Sequence, residues 1–419
     1  MNKIRKIWST LGPGFLYAGA AVGVSHLVQS TKAGAQFGFT LLGVVILSNI
    51  LKYPFFEAGP RYAAATGENL IQGYQRIGKW AVWMFTILTA STAFIIQAAV
   101  TIVTAALFSN LIGIEFTGLE ASAILLAVCG TILFVGQYKW LDSIIKWVVI
   151  LLSIASVIAF FRAQTINTDV SLWPEWVTTG TSFVFLFALM GWMPAPIDIA
   201  AWHSIWTVEK KQSQGGKLSL KDALRDFHIG YWGTAVLAMV FLSLGALVLF
   251  ANGVDIAGAS GAVFSKKFIS IYTETLGKWT YPVIAFAAFA TMFSTTITVL
   301  DGAPRVANQL VPTLQGKPNA DHKLVYRITI IVVALGALFL IWQYAGKEAF
   351  GTLIKIATIT SFITAPLLGF LNFKLVFSRH MPDEAKPGML NKVVGIVGLV
   401  FLGSFSVIYV LWLTGVIVI

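Results

Sequence analysis

Long apolar stretches, many of about twenty residues or more, follow one another along this chain with short polar connections between them. About twenty consecutive apolar residues wound as a helix cross a hydrocarbon core of about 30 Å. In that core a helix satisfies its own backbone hydrogen bonds, which an open strand does not. The pattern therefore predicts an all-α membrane protein with eleven spans, at roughly 11–36, 39–62, 80–112, 119–137, 141–162, 179–206, 228–251, 279–304, 325–346, 349–376 and 391–418.

Two of these spans carry helix breakers near their middle. The first contains Gly12-Pro13-Gly14, Gly19, Gly23-Val24-Ser25-His26 and Gly34; the sixth contains Met193-Pro194-Ala195-Pro196-Ile197-Asp198. Each proline removes a backbone donor and crowds the preceding turn. In lipid such a break persists where it lines a cavity or is enclosed by protein. A simple kink is the alternative for either break alone. Breaks five spans apart predict two inverted repeats, about 11–162 and 179–376, with a helix at about 391–418 appended. Substrate would bind between the two broken helices. Residues 1–419 then make one transmembrane domain.

Composition agrees. Hydrophobic residues make up 57% of the chain and charged ones 11%, where a soluble protein carries roughly a quarter charged. The net charge of +11 is unevenly placed. A cytoplasmic N-terminus puts twenty Lys and Arg in the cytoplasmic connections and five on the opposite side. That asymmetry orients a membrane protein, and the odd span count puts the C-terminus outside. The basic charge thus reads as topology beside anionic headgroups, not as a nucleic-acid surface. Lys3, Arg5 and Lys6 precede an apolar segment too long for a secretory signal. The expected setting is the bilayer of the cell's inner or plasma membrane. Cys129 is the single cysteine and has no internal partner. There is no nucleophile elbow, phosphate loop or zinc-ligand spacing, so an enzyme is not expected and no resident cofactor is implied.

Several segments resemble the Nramp divalent-metal transporter family. Leu11-Gly12-Pro13-Gly14-Phe15-Leu16 is similar to the start of that family's first span, and Ala33-Gly34-Ala35-Gln36-Phe37-Gly38 to its end. Leu47-Ser48-Asn49 with Arg61 and Thr66-Gly67-Glu68-Asn69-Leu70 resembles its second span, and Ser294-Thr295-Thr296-Ile297-Thr298 its eighth. The resemblance implies a LeuT-type fold and proton-coupled transport of a divalent metal such as manganese or iron. The metal motif departs from the pattern. Gly23-Val24-Ser25-His26 stands where the family has Asp-Pro-Gly-Asn. Met193-Pro194-Ala195 matches the start of its Met-Pro-His motif and His203-Ser204 the end, or else Pro196-Ile197-Asp198 takes that place. The third span, 82–113, carries no acidic residue, whereas the family uses one there to move protons.

Charge inside a membrane is costly and marks candidate sites. Asp198, beside the second break, can hold a cation or a proton; the structural alternative is a helix cap at a positive dipole end. His26, at the first break, suits a transition metal, or is a buried imidazole bonded to a carbonyl. These two are the expected metal ligands. Ser25, Gln29 and Ala195 join them as expected substrate contacts, Gln29 because it lies one helical turn beyond Ser25 and His26. Met193 is a soft ligand or core filling. His203 is a candidate proton relay. Lys32 and Lys52 fit a metal pathway poorly; they pair with Glu57 or Asp198, or they line a path for a small anion or organic solute. Glu57 and Arg61, one turn apart, can also pair with each other. The leading expectation is a divalent-cation transporter, and the alternative is an anion or organic-solute symporter on the same scaffold.

Overall fold

The structure, a computed structural model, describes residues 12–136, 139–166, 180–315, 323–345 and 348–416. Among them every regular element is a helix. Helix α1 is Pro13–Ala21, and α2 is Val24–Ser30, which is π-wound and runs on as Thr31–Phe37. Then come α3 (Leu42–Thr66), α4 (Leu70–Ile77), α5 (Lys79–Ile112), α6 (Gly118–Val135) and α7 (Lys139–Ala163). The second half holds α8 (Gly180–Trp192), α9 (Ile199–Ser213) and α10 (Leu220–Leu244, prolonged by the π-wound turn Gly245–Phe250). It closes with α11 (Gly261–Leu276), α12 (Tyr281–Leu314), α13 (Lys323–Gln343), α14 (Ala349–Val376) and α15 (Met389–Leu413).

Seven helical stretches among the described residues are long and apolar enough to cross a membrane. They differ in position. The most hydrophobic stretch of Lys278–Leu314 is 78% buried inside the protein, and that of Lys323–Gln343 only 22%. The first is central and the second presents most of its surface outward. Helix α3 is central for another reason. It carries Asn49, Lys52, Glu57 and Arg61, and the first three are almost wholly buried. Each of these polar groups finds a partner inside the protein, as an interior of low polarity requires.

Two helices lie in intervals expected to be connections. The first, α4, starts from a capping box in which the Asn69 side chain accepts from the Gln72 N–H and the Gln72 side chain accepts from the Asn69 N–H. The second, α11, starts at Ser260, whose hydroxyl accepts from the Val263 N–H. It buries Phe264, Phe268 and Tyr272, spaced four apart on one face. Neither was legible from hydropathy, because each is amphipathic instead of uniformly apolar.

Close backbone approaches hold the broken first span against α10. A Cβ on Gly34 would lie 1.9 Å from the Leu242 carbonyl oxygen, and one on Gly245 2.2 Å from that of Thr31. Lower down, a Cβ on Gly14 would lie 2.1 Å from the Asp226 carbonyl oxygen. Side chains cannot fit at these points, and small residues are what allow membrane helices to pack this closely.

Candidate functional site

The first break is a change of direction over two residues. Val22 ends α1 and Gly23 precedes α2. A Cβ on Gly23 would lie 2.7 Å from Thr295 Cγ2, so α12 packs directly on the break and any side chain there would have to displace Thr295. Thr295 also donates its hydroxyl to the Gly19 carbonyl at 3.1 Å, taking up one acceptor at the end of α1. Ser25 Oγ lies 2.7 Å from the Ala21 carbonyl oxygen across the break, and its one proton is shared between that carbonyl and His26 Nδ1.

The second break spans the residues between Trp192, the last of α8, and Ile199, the first of α9. Lys52 reaches it from α3. Its ammonium is fully buried and donates to the Met190 carbonyl at 2.5 Å and the Gly191 carbonyl at 3.0 Å. These are carbonyls of the last turn of α8, which have no further turn to bond. A cation there also meets the negative end of the helix dipole. Trp192 is fixed on the other side by its indole N–H, which donates to Ser361 Oγ at 2.7 Å.

The breaks face each other across a small cavity of about 20 Å³, room for about one water or one bare ion. Ala21 and Ser25 come from the first break, and Ala195 and Asp198 from the second. Ile96 of α5 and Thr295 of α12 complete the walls. Asp198 is the only carboxylate among the lining residues. It is 5% exposed, its Oδ1 has no hydrogen-bond partner, and its side chain makes no capping bond to α9. A buried acceptor without a partner is costly, which makes Asp198 the candidate ligand at this cavity.

The expected contacts divide into two groups. Ser25, Ala195 and Asp198 meet at the cavity. His26, Gln29 and Met193 do not line it. The Nε2 of His26 donates to the Thr234 carbonyl at 2.9 Å, and its Nδ1 lies 2.7 Å from Ser25 Oγ. Both ring nitrogens are therefore taken in this conformation, as in the structural alternative for this residue. Gln29 was placed one α-helical turn from Ser25. The π winding of Val24–Ser30 widens that turn, and Ser30 is the residue whose hydroxyl reaches the Ser25 carbonyl, at 3.1 Å. Met193 is fully buried in an apolar cluster with Ala33, Leu189 and Leu242, so it fills space.

The remaining charged and ionisable candidates are also displaced from the expected roles. Neither Lys32 nor Lys52 pairs with Glu57 or Asp198, and neither lines the cavity. Lys32 donates to the Ala257 carbonyl at 3.3 Å and lies 5.6 Å from the centre of the Phe350 ring. Glu57 is held by Arg61 at 2.9 Å, by the Tyr53 hydroxyl at 2.9 Å and by Asn391. His203 stacks on Tyr17, ring centres 5.7 Å apart, and neither of its nitrogens has a hydrogen-bond partner. Among the described residues no group of three His, Cys, Asp or Glu side chains is placed to hold a metal.

Two contributors were missed in the sequence. Thr295 belongs to an unusual run of hydroxyls in an apolar helix, and that run was the available signal. Asp226 caps α1: its carboxylate accepts from the Gly12 N–H at 3.1 Å and the Gly14 N–H at 2.9 Å. A helix starting Gly-Pro-Gly has no cap of its own, which was the hint that an acid must come from elsewhere.

An all-helical membrane bundle with two opposed helix interruptions, and one carboxylate lining the cavity between them, has the architecture of the LeuT type. Residues 14–412 match the family described as natural resistance-associated macrophage protein-like, and the chain belongs to this Nramp family. It is 36% identical over 408 residues to an uncharacterised protein of Pasteurella multocida, covering 96% of this chain and 92% of that one. It is 21% identical to the divalent metal cation transporter MntH of Mesorhizobium japonicum, covering 89% of each. The fold matches that of the Eremococcus coleocola manganese transporter with a TM-score of 0.73 at 16% identity, over 96% of this chain and 86% of that one. The protein is thus a multi-pass membrane transporter and not an enzyme.

Proposed function

We propose that this transporter carries a hard divalent cation, of the Mn²⁺ or Mg²⁺ class, through the cavity between the two breaks, with Asp198 as its charged ligand. The observation that carries the reading is Asp198, buried and the one carboxylate among the residues lining that cavity. The donors beside it are oxygens: the carboxylate, the Ser25 and Thr295 hydroxyls and the backbone carbonyls of the breaks. Oxygen donors suit Mn²⁺ and Mg²⁺, while imidazole and thioether donors would have favoured softer ions. His26 and Met193 are turned to other tasks. The MntH relative and the manganese transporter point the same way by name. The anion alternative rested on lysines along the path, and both lysines are engaged with carbonyls away from the cavity.

The reading extends to mechanism. Substrate sits between two inverted repeats, 11–162 and 179–376, which rock about it while the N-terminus stays cytoplasmic. A proton and a metal ion compete for Asp198, which couples their movements through one group. The test is uptake of Mn²⁺ or Mg²⁺ into proteoliposomes, together with thermal stabilisation of the purified protein. A ligand at a hundred times its dissociation constant adds about 2.7 kcal/mol. Asp198→Asn keeps the shape and is expected to abolish both signals in a folded protein. Stabilisation by small anions and not by divalent cations, or unchanged cation binding in Asp198→Asn, would refute the reading.

A further inference from the structure

A second and much larger hollow lies outside the proposed ion path. It is an apolar groove of about 560 Å³ between α1, α7 and α10, with α12 behind it. Phe15 and Leu16 of α1 form one wall and Val149 of α7 another. Along α10 its edge is formed by Ile229, Trp232 and Val236, which are 44%, 42% and 51% exposed. A membrane-spanning helix that leaves these three side chains open presents them to lipid.

The same stripe of α10 continues past the groove with Arg225 and Lys221, one and two turns before Ile229. Both are exposed, and neither makes an ion pair among the described residues. This end of the groove lies where α1 begins, because Asp226, next to Arg225, caps the Gly12 and Gly14 amides. From Arg225 to Val236 the helix rises about 16 Å, about half of a hydrocarbon core of about 30 Å. One leaflet's acyl chain has that reach.

We propose that the groove holds one acyl chain of an anionic bilayer lipid, with the headgroup phosphate on Arg225 and Lys221. The apolar walls take the tail, and the basic end selects the charge. The lipid lies along Phe15 and Leu16 and braces α1, the half-helix that ends at the first break. This site is separate from the cavity at Asp198, so it stands whether or not that cavity binds a metal.

Gly233 lines the groove, and a Cβ added there meets nothing within 4 Å. Gly233→Phe therefore fills the groove with little disturbance of the packing. The experiment is native mass spectrometry of the full-length protein in detergent with phosphatidylglycerol or phosphatidylcholine added. We expect one phosphatidylglycerol retained per chain in preference to phosphatidylcholine. Arg225→Gln or Lys221→Gln should each reduce that preference about fivefold, the equivalent of about 1 kcal/mol per basic residue near an anionic surface. Gly233→Phe should abolish retention of both lipids while keeping the parent's melting temperature. Val236→Trp, at the exposed edge, provides a second filling variant should the first fail to fold. Equal retention of the two lipids by the parent, or unchanged retention in a folded filling variant, overturns the proposal. A mass of two chains with no lipid assigns the groove to a second copy and also overturns it.

Discussion

Replacing Lys52 by methionine separates a structural role from a role in the ion path. The change keeps the length and apolar stem of the side chain and removes the ammonium. Two buried carbonyls, of Met190 and Gly191, then lose their donor. Each buried acceptor left unsatisfied costs about 1–3 kcal/mol, and the helix dipole at α8 loses a compensating charge worth up to about 2 kcal/mol. Against this, the variant no longer buries an ammonium, which offsets part of the loss. A net destabilisation of about 2–4 kcal/mol is expected. In a domain of about 200 residues each kcal/mol moves the unfolding midpoint by about 2–4 °C, and proportionately less in a larger chain. For 419 residues the shift is then a drop of about 2–8 °C. Fluorescence-monitored thermal unfolding of the purified protein, with and without Mn²⁺, measures it. The stabilisation added by Mn²⁺ should survive. A variant that keeps its midpoint but loses transport would refute the reasoning and return Lys52 to the pathway.

Four further outcomes are expected. Cation binding should weaken as pH falls, because protons occupy Asp198, and the pH dependence of Mn²⁺-induced stabilisation reads this directly. Asp226→Ala removes the cap on α1, worth about 1–2 kcal/mol, so a cysteine placed at the fully buried Tyr17 should label about 5–30-fold faster. Gly23→Ala forces a Cβ to within 2.7 Å of Thr295 Cγ2 and should cost about 1–3 kcal/mol in thermal stability, with Thr295→Ser as a second change restoring part of it. Engineered cysteines in the 214–219 connection between α9 and α10 should label only from the cytoplasmic side of intact cells, and labelling from outside would overturn the proposed orientation.

Apolar runs, with the Gly and Pro residues that interrupt two of them, made the helical membrane fold and both interruptions legible, because hydrophobic length and backbone breakage are one-dimensional properties. The place of Asp198 beside the second break, lining the cavity, was legible for the same reason. Side-chain direction was not legible. His26 is adjacent to Ser25 in sequence, yet its ring turns to Thr234 on α10. Gln29 was judged by α-helical spacing, and the π winding of Val24–Ser30 changed which residue comes round to Ser25. The fate of Lys52 depended on which carbonyls a neighbouring helix leaves open, a fact of three-dimensional packing that no local pattern contains. Helices α4 and α11 escaped because their apolar residues form a stripe and not a run.

Four helix ends meet at the two breaks, and their electric fields have a joint consequence. Helices α1 and α8 end there, and α2 and α9 begin there. Each end acts as about half an elementary charge, negative for the first pair and positive for the second. Alone, the four would nearly cancel, leaving a potential that dies away within a few ångströms. Lys52, bonded to the last carbonyls of α8, offsets part of that end's field from outside the cavity, and Asp198 is the one carboxylate lining the cavity itself. On the proposed function, a cation would then be drawn to the cavity only over a short range. On that same function, affinity would depend on direct contact with Asp198 instead of a broad field, and a movement of the surrounding helices that draws its carboxylate away would release the ion.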